Sequence, residues 1–373
     1  MIPYGRHSIS EADIIAVTNS LRSEWLTTGP LVEKFELDLE NLVGAQCAVV
    51  SSGTAALHCA YKAIGVEPGD EIITPPITFI ATQATAALMG ANIVFADVQE
   101  GTANIDPKAV QAAITPRTKA IVAVDFAGHP ADIDELRKIA NENRIFLIED
   151  AAHSLGSLYK TKVVGSLADI TTFSFFPTKN ITSGEGGAIA STNSELLEKA
   201  RIFSKQGLIR NPKNFKILNQ GSWHQEVHDF GLNYRLSDIH CALGISQLSR
   251  IQSMKTARKE IFDYYKEGFQ NNFNILLPEV RDYVEPNWHL YPIRVEPSRR
   301  REIFDALKLA GIGVQVNYLP AHLHPVLANL GFRTGQFPVS EAFYNEEISL
   351  PIHLELTIKD LDFIIKTVNS VSR

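Results

Sequence analysis

Residues 119–150, KAIVAVDFAGHPADIDELRKIANENRIFLIED, hold the repeating unit of the fold in one stretch. KAIVAVDF (119–126) and RIFLIED (144–150) are short, β-branched and apolar at successive positions, as a strand buried on both faces must be. DIDELRKIANENR (132–144) between them has helical spacing of its apolar residues. A strand, a helix and a second strand in that order predict a parallel pair joined by a crossover. Outward from this unit, AQCAVVSS (45–52), DEIITPP (70–76), NIVFADV (92–98) and DITTFSF (169–175) read as further strands. GTAALHCAYKAIG (53–65) and FIATQATAALMG (79–90) read as further helices. The expectation is an α/β protein with a mixed, mostly parallel sheet.

The pattern changes near residue 195. Helices dominate to about residue 270, through SELLEKARIFSKQG and the long run SDIHCALGISQLSRIQSMKTARKEIFDYYKEGF. NWHLYPIRV (287–295), a helix near RREIFDALKLAG, GVQVNYLP (313–320) and a final helix at LDFIIKTVNSVS follow, which suggests a smaller α+β domain. The expected division is a large domain over 1–250 and a small one over 251–373, and a chain of 373 residues is long enough for two. Residues 208–228 (LIRNPKNFKILNQGSWHQEVH) are polar and weakly periodic, so they read as a long exposed loop.

Composition narrows the function. No stretch approaches the roughly 20 apolar residues that span a membrane, and MIPYGRHSISEADII has no basic segment followed by an apolar run, so no secretory signal is expected. Three separate cysteines (Cys47, Cys59, Cys241) make neither a disulfide framework nor a metal site and suit a reducing cytoplasm. The net charge of -7 and the lack of any basic block argue against nucleic acid as a partner.

Three places could carry chemistry. Lys179 lies in TTFSFFPTKNITSGEGGA (171–188), where an apolar strand feeds a glycine-rich turn. An isolated lysine in a loop is usually a surface charge, but one that forms a Schiff base must be partly buried and shed its proton easily, and this setting suits it. Asp150 ends a buried strand, where a ligand of a parallel sheet gathers. It can pair with a protonated pyridine nitrogen or cap the turn at Ala151-Ala152-His153. His153 would reach the same ligand or serve as a structural histidine. Ser51-Ser52-Gly53-Thr54-Ala55-Ala56 opens a helix and can hold a phosphate on its first amides, or be an ordinary capped turn. Neither the P-loop pattern nor G-x-G-x-x-G occurs in the chain, which counts against nucleotide hydrolysis and dinucleotide binding.

Together these motifs resemble a known family. IPYGRHSIS, WLTTGP, SSGTAALH, PPITFIAT, IEDAAHSLGS, FSFFPTKNITSGEGG, GLNYRLSDIHCALGISQL and VQVNYLP are similar, over essentially the whole chain, to the DegT/StrS-type nucleotide-sugar aminotransferases. The resemblance implies fold type I of the pyridoxal 5'-phosphate (PLP) enzymes, the aspartate-aminotransferase-like fold, and a homodimer with shared active sites. It implies that Lys179 carries the cofactor, Asp150 pairs with its pyridine nitrogen, His153 sits near its ring hydroxyl and Phe79 stacks on the ring. Gly53, Thr54, Ala55 and Ser174 would hold the phosphate, and Asn233 and Arg235 would reach it from the neighbouring subunit. Tyr4, Thr27, Thr28, Gly29, Tyr318 and His322 are the expected substrate contacts, with Arg6, Arg210, Arg235 and Lys205 near the nucleotide. Relatives that dehydrate sugars replace the lysine with histidine, and here Lys179 is intact. IPYGR, HLYPI and ISLPIH look most like the branch that makes UDP-4-amino-4,6-dideoxy-N-acetyl-β-L-altrosamine from glutamate and a 4-keto sugar, toward pseudaminic acid. Asn317 departs from the histidine that many relatives carry before the matching tyrosine, which is why His322 is taken as the substrate contact.

Overall fold

The computed structural model describes residues 1–373. Its centre is a seven-stranded sheet formed by β1 (Gln46–Val50), β2 (Glu71–Thr74), β3 (Asn92–Phe95), β4 (Thr118–Val124), β5 (Phe146–Asp150), β6 (Ile170–Ser174) and β7 (Gly187–Ser191), in the order β1-β7-β6-β5-β4-β2-β3. The five strands from β6 to β3 are parallel, and β7 runs antiparallel to both of its neighbours. Alternation explains why the apolar runs are continuous. Val122, Ile148 and Ile170 pack on one face against helix Gly53–Ala63, whereas Ile121, Ala123 and Leu147 pack on the other against Leu136, Ile139 and Ala140 of helix Ile133–Asn143.

The register sets the site. Val124 lies opposite Asp150, and Asp150 opposite Thr172. The carboxyl ends of β4, β5 and β6 are therefore level, and whatever follows them meets on one edge.

A second, three-stranded antiparallel sheet is built from β8 (Ile275–Leu276), β9 (Tyr291–Val295) and β10 (Glu347–Leu350). Helix Ile251–Phe269 joins the two parts. Its Ile251 and Met254 belong to the core of the large sheet, while Phe262, Tyr265 and Phe269 pack with Trp288, Ile293 and Ile348. The Phe262 and Trp288 rings stack at 4.0 Å. No helix is long and apolar enough to cross a membrane.

The structure differs from the sequence-based expectations in four places. Strand β7 was not anticipated; GAIAS is short and follows a glycine run, and the pairing with β1 that makes it a strand is remote in sequence. The long helical run at 237–269 is two helices, Asp238–Leu248 and Ile251–Phe269. They part where Arg250 leaves helical geometry and its guanidinium meets the buried carboxylate of Asp13 at 2.6 Å. GVQVNYLP forms no ladder strand, because only Gln315 pairs with Ser349 of β10. The 208–228 loop closes on itself through a two-residue ladder, Leu208–Ile209 with Glu226–Val227. Within it the Glu226 carboxylate accepts the amides of Lys216 and Ile217, each at 2.8 Å, and pairs with His224 and His228.

Candidate active site

A cleft of about 630 Å³ opens where the carboxyl ends of β4, β5 and β6 face the small sheet. Asp150 forms part of its floor and is only 5% exposed. Its Oδ2 accepts the Thr82 hydroxyl at 2.8 Å and its Oδ1 accepts the Ala152 amide at 3.2 Å. Both readings of this residue thus hold at once: the carboxylate caps the turn and also faces the cleft. Burial raises its pKa, while the Thr82 and Ala152 hydrogen bonds and the nearby Lys179 ammonium pull it back. A buried carboxylate in that position favours a cationic ligand atom.

Lys179 lies in the same cleft, in the turn after β6, with its amide bonded to the Phe176 carbonyl at 2.9 Å. Burial lowers its pKa to about 8, against the opposing pull of Asp150. A surface lysine would keep its proton far above neutral pH; this one releases it within reach of neutrality, as a nucleophilic amine requires. Arg258 of helix Ile251–Phe269 donates to the carbonyls of Asn180 (3.2 Å) and Lys179 (3.4 Å) and so pins the turn.

His153 is buried, and its Nε2 is 3.3 Å from the Tyr318 hydroxyl while its Nδ1 has no partner. Burial, with the neighbouring Lys179 charge, drives its pKa well below the usual imidazole value, so the ring is neutral. The His289 ring lies 4.3 Å from it. Phe79 is 60% exposed, unusual for a phenylalanine in a closed fold, and its ring faces the cleft near Tyr318 at 6.2 Å.

The helix after β1 brings its N-terminus to the cleft. The Ser52 hydroxyl accepts the Ala55 amide at 3.1 Å, so Ala55, expected to bind phosphate, is already engaged and does not line the cleft. Ser52, Gly53, Thr54 and Ser174 do. A Cβ on Gly53 would come within 2.8 Å of the Ser174 side chain, so only glycine allows this approach. An anion at such a terminus gains about 0.3–1 kcal/mol from the dipole alone.

These features fit PLP. The unpartnered Nδ1 of His153, the buried Asp150 carboxylate, the exposed Phe79 ring, the amide end of helix Gly53–Ala63 and the buried Lys179 amine would suit its hydroxyl, pyridine nitrogen, ring face, phosphate and aldehyde. Residues 7–369 match the model of the DegT/DnrJ/EryC1/StrS aminotransferase family. The chain belongs to that family. The aminotransferase is 39% identical to the spore coat polysaccharide biosynthesis protein SpsC of Bacillus subtilis, over 99% of this chain and 97% of that one. It is 38% identical, over 100% and 97%, to the UDP-4-amino-4,6-dideoxy-N-acetyl-β-L-altrosamine transaminase of Campylobacter jejuni. Among solved structures it superposes on the PLP form of a sugar aminotransferase, Spr1654 of Streptococcus pneumoniae, with a TM-score of 0.93 at 34% identity, covering 100% of this chain and 98% of that one. It superposes equally on Helicobacter pylori PseC, an aminotransferase of pseudaminic acid biosynthesis, with a TM-score of 0.93 at 33% identity, over 99% and 98%. The fold is therefore the type I fold the sequence implied, and the aminotransferase is a PLP-dependent sugar aminotransferase.

Not every expected residue reaches the cleft. Lys179, Asp150, His153, Phe79, Gly53, Thr54, Ser174, Tyr4, Arg6 and Tyr318 line it. His322 does not, a correction with a clear cause: it is wholly buried, bonded to Glu341 at 3.1 Å and packed between Phe95 and Phe337. Asn317 lines the cleft in its place. Thr27, Thr28 and Gly29 lie outside the chain's own cleft; the Gly29 amide is held by Asp238 at 2.8 Å. Asn233, Arg235, Lys205 and Arg210 also lie outside it, Arg235 donating to Asn233 Oδ1 at 3.0 Å. Sequence reasoning missed Thr82, Arg258, His289 and Gln315. Thr82, His289 and Gln315 sit in motifs already singled out, PPITFIAT, HLYPI and VQVNYLP, but nothing in those motifs marks them as site residues; Arg258 lies outside all of them, and its partners at Lys179 and Asn180 come from a distant segment.

Proposed function

We propose that the enzyme transfers an amino group from glutamate to C4 of a nucleotide-linked 4-keto-6-deoxy sugar, UDP-4-keto-6-deoxy-N-acetyl-β-L-altrosamine, on the way to pseudaminic acid, in the cytoplasm. The observation that carries the reading is Lys179, intact and with its proton affinity lowered, in one cleft with Asp150 and His153. The names of the Campylobacter relative and of the Helicobacter structure support the choice of sugar.

PLP, when bound, supplies an electron sink that lets an amino group change carbon skeletons. In this reading the protein's own groups do the rest. Lys179 Nζ would hold the cofactor's aldehyde and, once released, could move a proton. Asp150 keeps a proton on the ring nitrogen, itself oriented by Thr82. Neutral His153, whose Nδ1 has no partner in the protein, would meet the ring hydroxyl, and Phe79, exposed in the cleft, would pack on the ring. The small domain, taken as 251–373, closes the cleft over the large one at 1–250 and contributes Arg258, His289, Asn317 and Tyr318.

A homodimer completes the site. Asn233 and Arg235 do not line the cleft of their own chain, and the neighbouring segment presents Trp223, 80% exposed, and Phe230, 90% exposed. Large apolar side chains standing in water point to a protein surface that covers them. Sedimentation is expected to show a dimer that persists on dilution, and Asn233→Ala to weaken PLP retention. Mixing Lys179→Ala with an Asn233 variant should restore part of the activity, because one of the two hybrid sites has both residues. A fully active monomer excludes the shared site.

The substrate is tested by coupling a UDP-N-acetylglucosamine 5-inverting 4,6-dehydratase to the enzyme with glutamate and PLP, and identifying the aminosugar by mass and NMR. Amination of dTDP-linked ketohexoses alone would reassign the acceptor and leave the aminotransferase intact.

A further inference from the structure

Glu347 of β10 is wholly buried, yet it takes its hydrogen bonds from neutral groups rather than from a cation. The Asn317 amide donates to its Oε2 at 2.8 Å and the Ser349 hydroxyl donates to its Oε1. Burial pushes its pKa up to about 8. A lone buried carboxyl is costly, so its surroundings call for an explanation.

The hydrogen bonds run in one direction. Asn317 Nδ2 donates to the Tyr4 hydroxyl at 2.6 Å and to Ser349 Oγ at 3.0 Å, which uses both of its N–H bonds. Ser349 in turn donates its hydroxyl hydrogen to Glu347. The Tyr4 oxygen therefore receives a hydrogen bond from the wall behind it, and the wall takes no proton in return. Tyr4 and Asn317 both line the cleft, so the phenolic O–H of Tyr4 is left to donate into it.

Anchoring the N-terminal segment does not require this chain of bonds. Ile2 already pairs with Gly311 and Gly313, each at 2.8 Å, and the Pro3 carbonyl lies 3.1 Å from His353 Nε2. We propose that Glu347, Ser349 and Asn317 form a positioning relay that holds Tyr4 as a hydrogen-bond donor to an oxygen of the acceptor sugar, making this wall the part of the site that selects the acceptor. The inference rests on the amination of a nucleotide-linked keto sugar proposed above. It sets the small-domain wall apart from the opposite side of the cleft, where Gly53, Ser174 and Asp150 face the cofactor.

The test uses PLP-loaded holoenzyme and the keto sugar that the wild type aminates. Tyr4→Phe, Asn317→Ala, Ser349→Ala and Glu347→Gln are each compared in two separated half-reactions: spectral conversion of the PLP form by glutamate, and return by the sugar. Loss of one hydrogen bond to the acceptor should raise its KM about tenfold in each variant, while kcat and the KM for glutamate change much less. The Tyr4→Phe, Asn317→Ala double variant should be no worse than Tyr4→Phe alone, because both remove the same interaction. Should Glu347→Gln fail to fold, Ser349→Ala must show the same split. An unchanged acceptor KM in Tyr4→Phe, additive effects in the double variant, or equal losses in both half-reactions overturns the relay while leaving the proposed reaction standing. A wild type that aminates no nucleotide sugar overturns the proposed reaction and the relay with it.

Discussion

Lys179→Ala is expected to lose the absorbance of the covalently held cofactor and to lower turnover on the order of a thousandfold or more. The wild-type protein should be yellow. Two features of the structure make the effect large. The lysine is the cleft's one amine whose proton affinity burial has brought near neutrality. Its turn is held in place by Arg258, so no flexible neighbour can take its position. The neighbouring groups His153 and His289 are neutral, but an imidazole cannot replace a primary amine in tethering an aldehyde. Absorbance and steady-state turnover measured on one preparation test this, and an alanine variant with wild-type activity would end the aminotransferase reading of the site.

The second large effect belongs to Asp150. Asp150→Asn keeps the size of the side chain; its single oxygen can still accept the Ala152 amide, and its Nδ2, in the place of Oδ2, can donate to the Thr82 hydroxyl, so folding and PLP binding should survive. What it lacks is the negative charge that would hold a proton on the ring nitrogen. Turnover is expected to fall on the order of a hundredfold or more, because the electron sink is weakened while binding is kept. Equal turnover in Asp150→Asn would reduce the residue to a cap for the turn at Ala152. The structure makes this a fair comparison, since the capping bond is present and is conserved in the variant.

Much of the fold was legible because its signals are local. Continuous apolar β-branched runs such as KAIVAVDF and RIFLIED cannot face water on either side, so helices had to cover both faces. The strand–turn context of Lys179 and the strand-end position of Asp150 likewise place both at the carboxyl edge of a parallel sheet. Where local signals were weak, the reading stopped short. GAIAS becomes a strand only because β1 and β6 lie on either side of it. The run at 237–269 has helical periodicity throughout, and the break falls at Arg250, whose guanidinium pairs with Asp13, 237 residues away.

The site divides in the same way. By itself the sequence determined the sheet, the lysine and aspartate, and the helix terminus after β1, because each depends on residues adjacent in the chain. Only the tertiary structure decided which polar side chains share the cleft. Thr82 joins Asp150 across 68 residues, and Asn317 joins Tyr4 across 313. His322 was expected to touch substrate and is instead sealed between Phe95 and Phe337, because Glu341 satisfies it within the protein. The Ala55 amide was expected to bind phosphate and is used up by Ser52 one turn away. A polar residue's type says which bonds it can make; packing decides which partner arrives first, and partners brought together by packing leave no periodic trace along the chain.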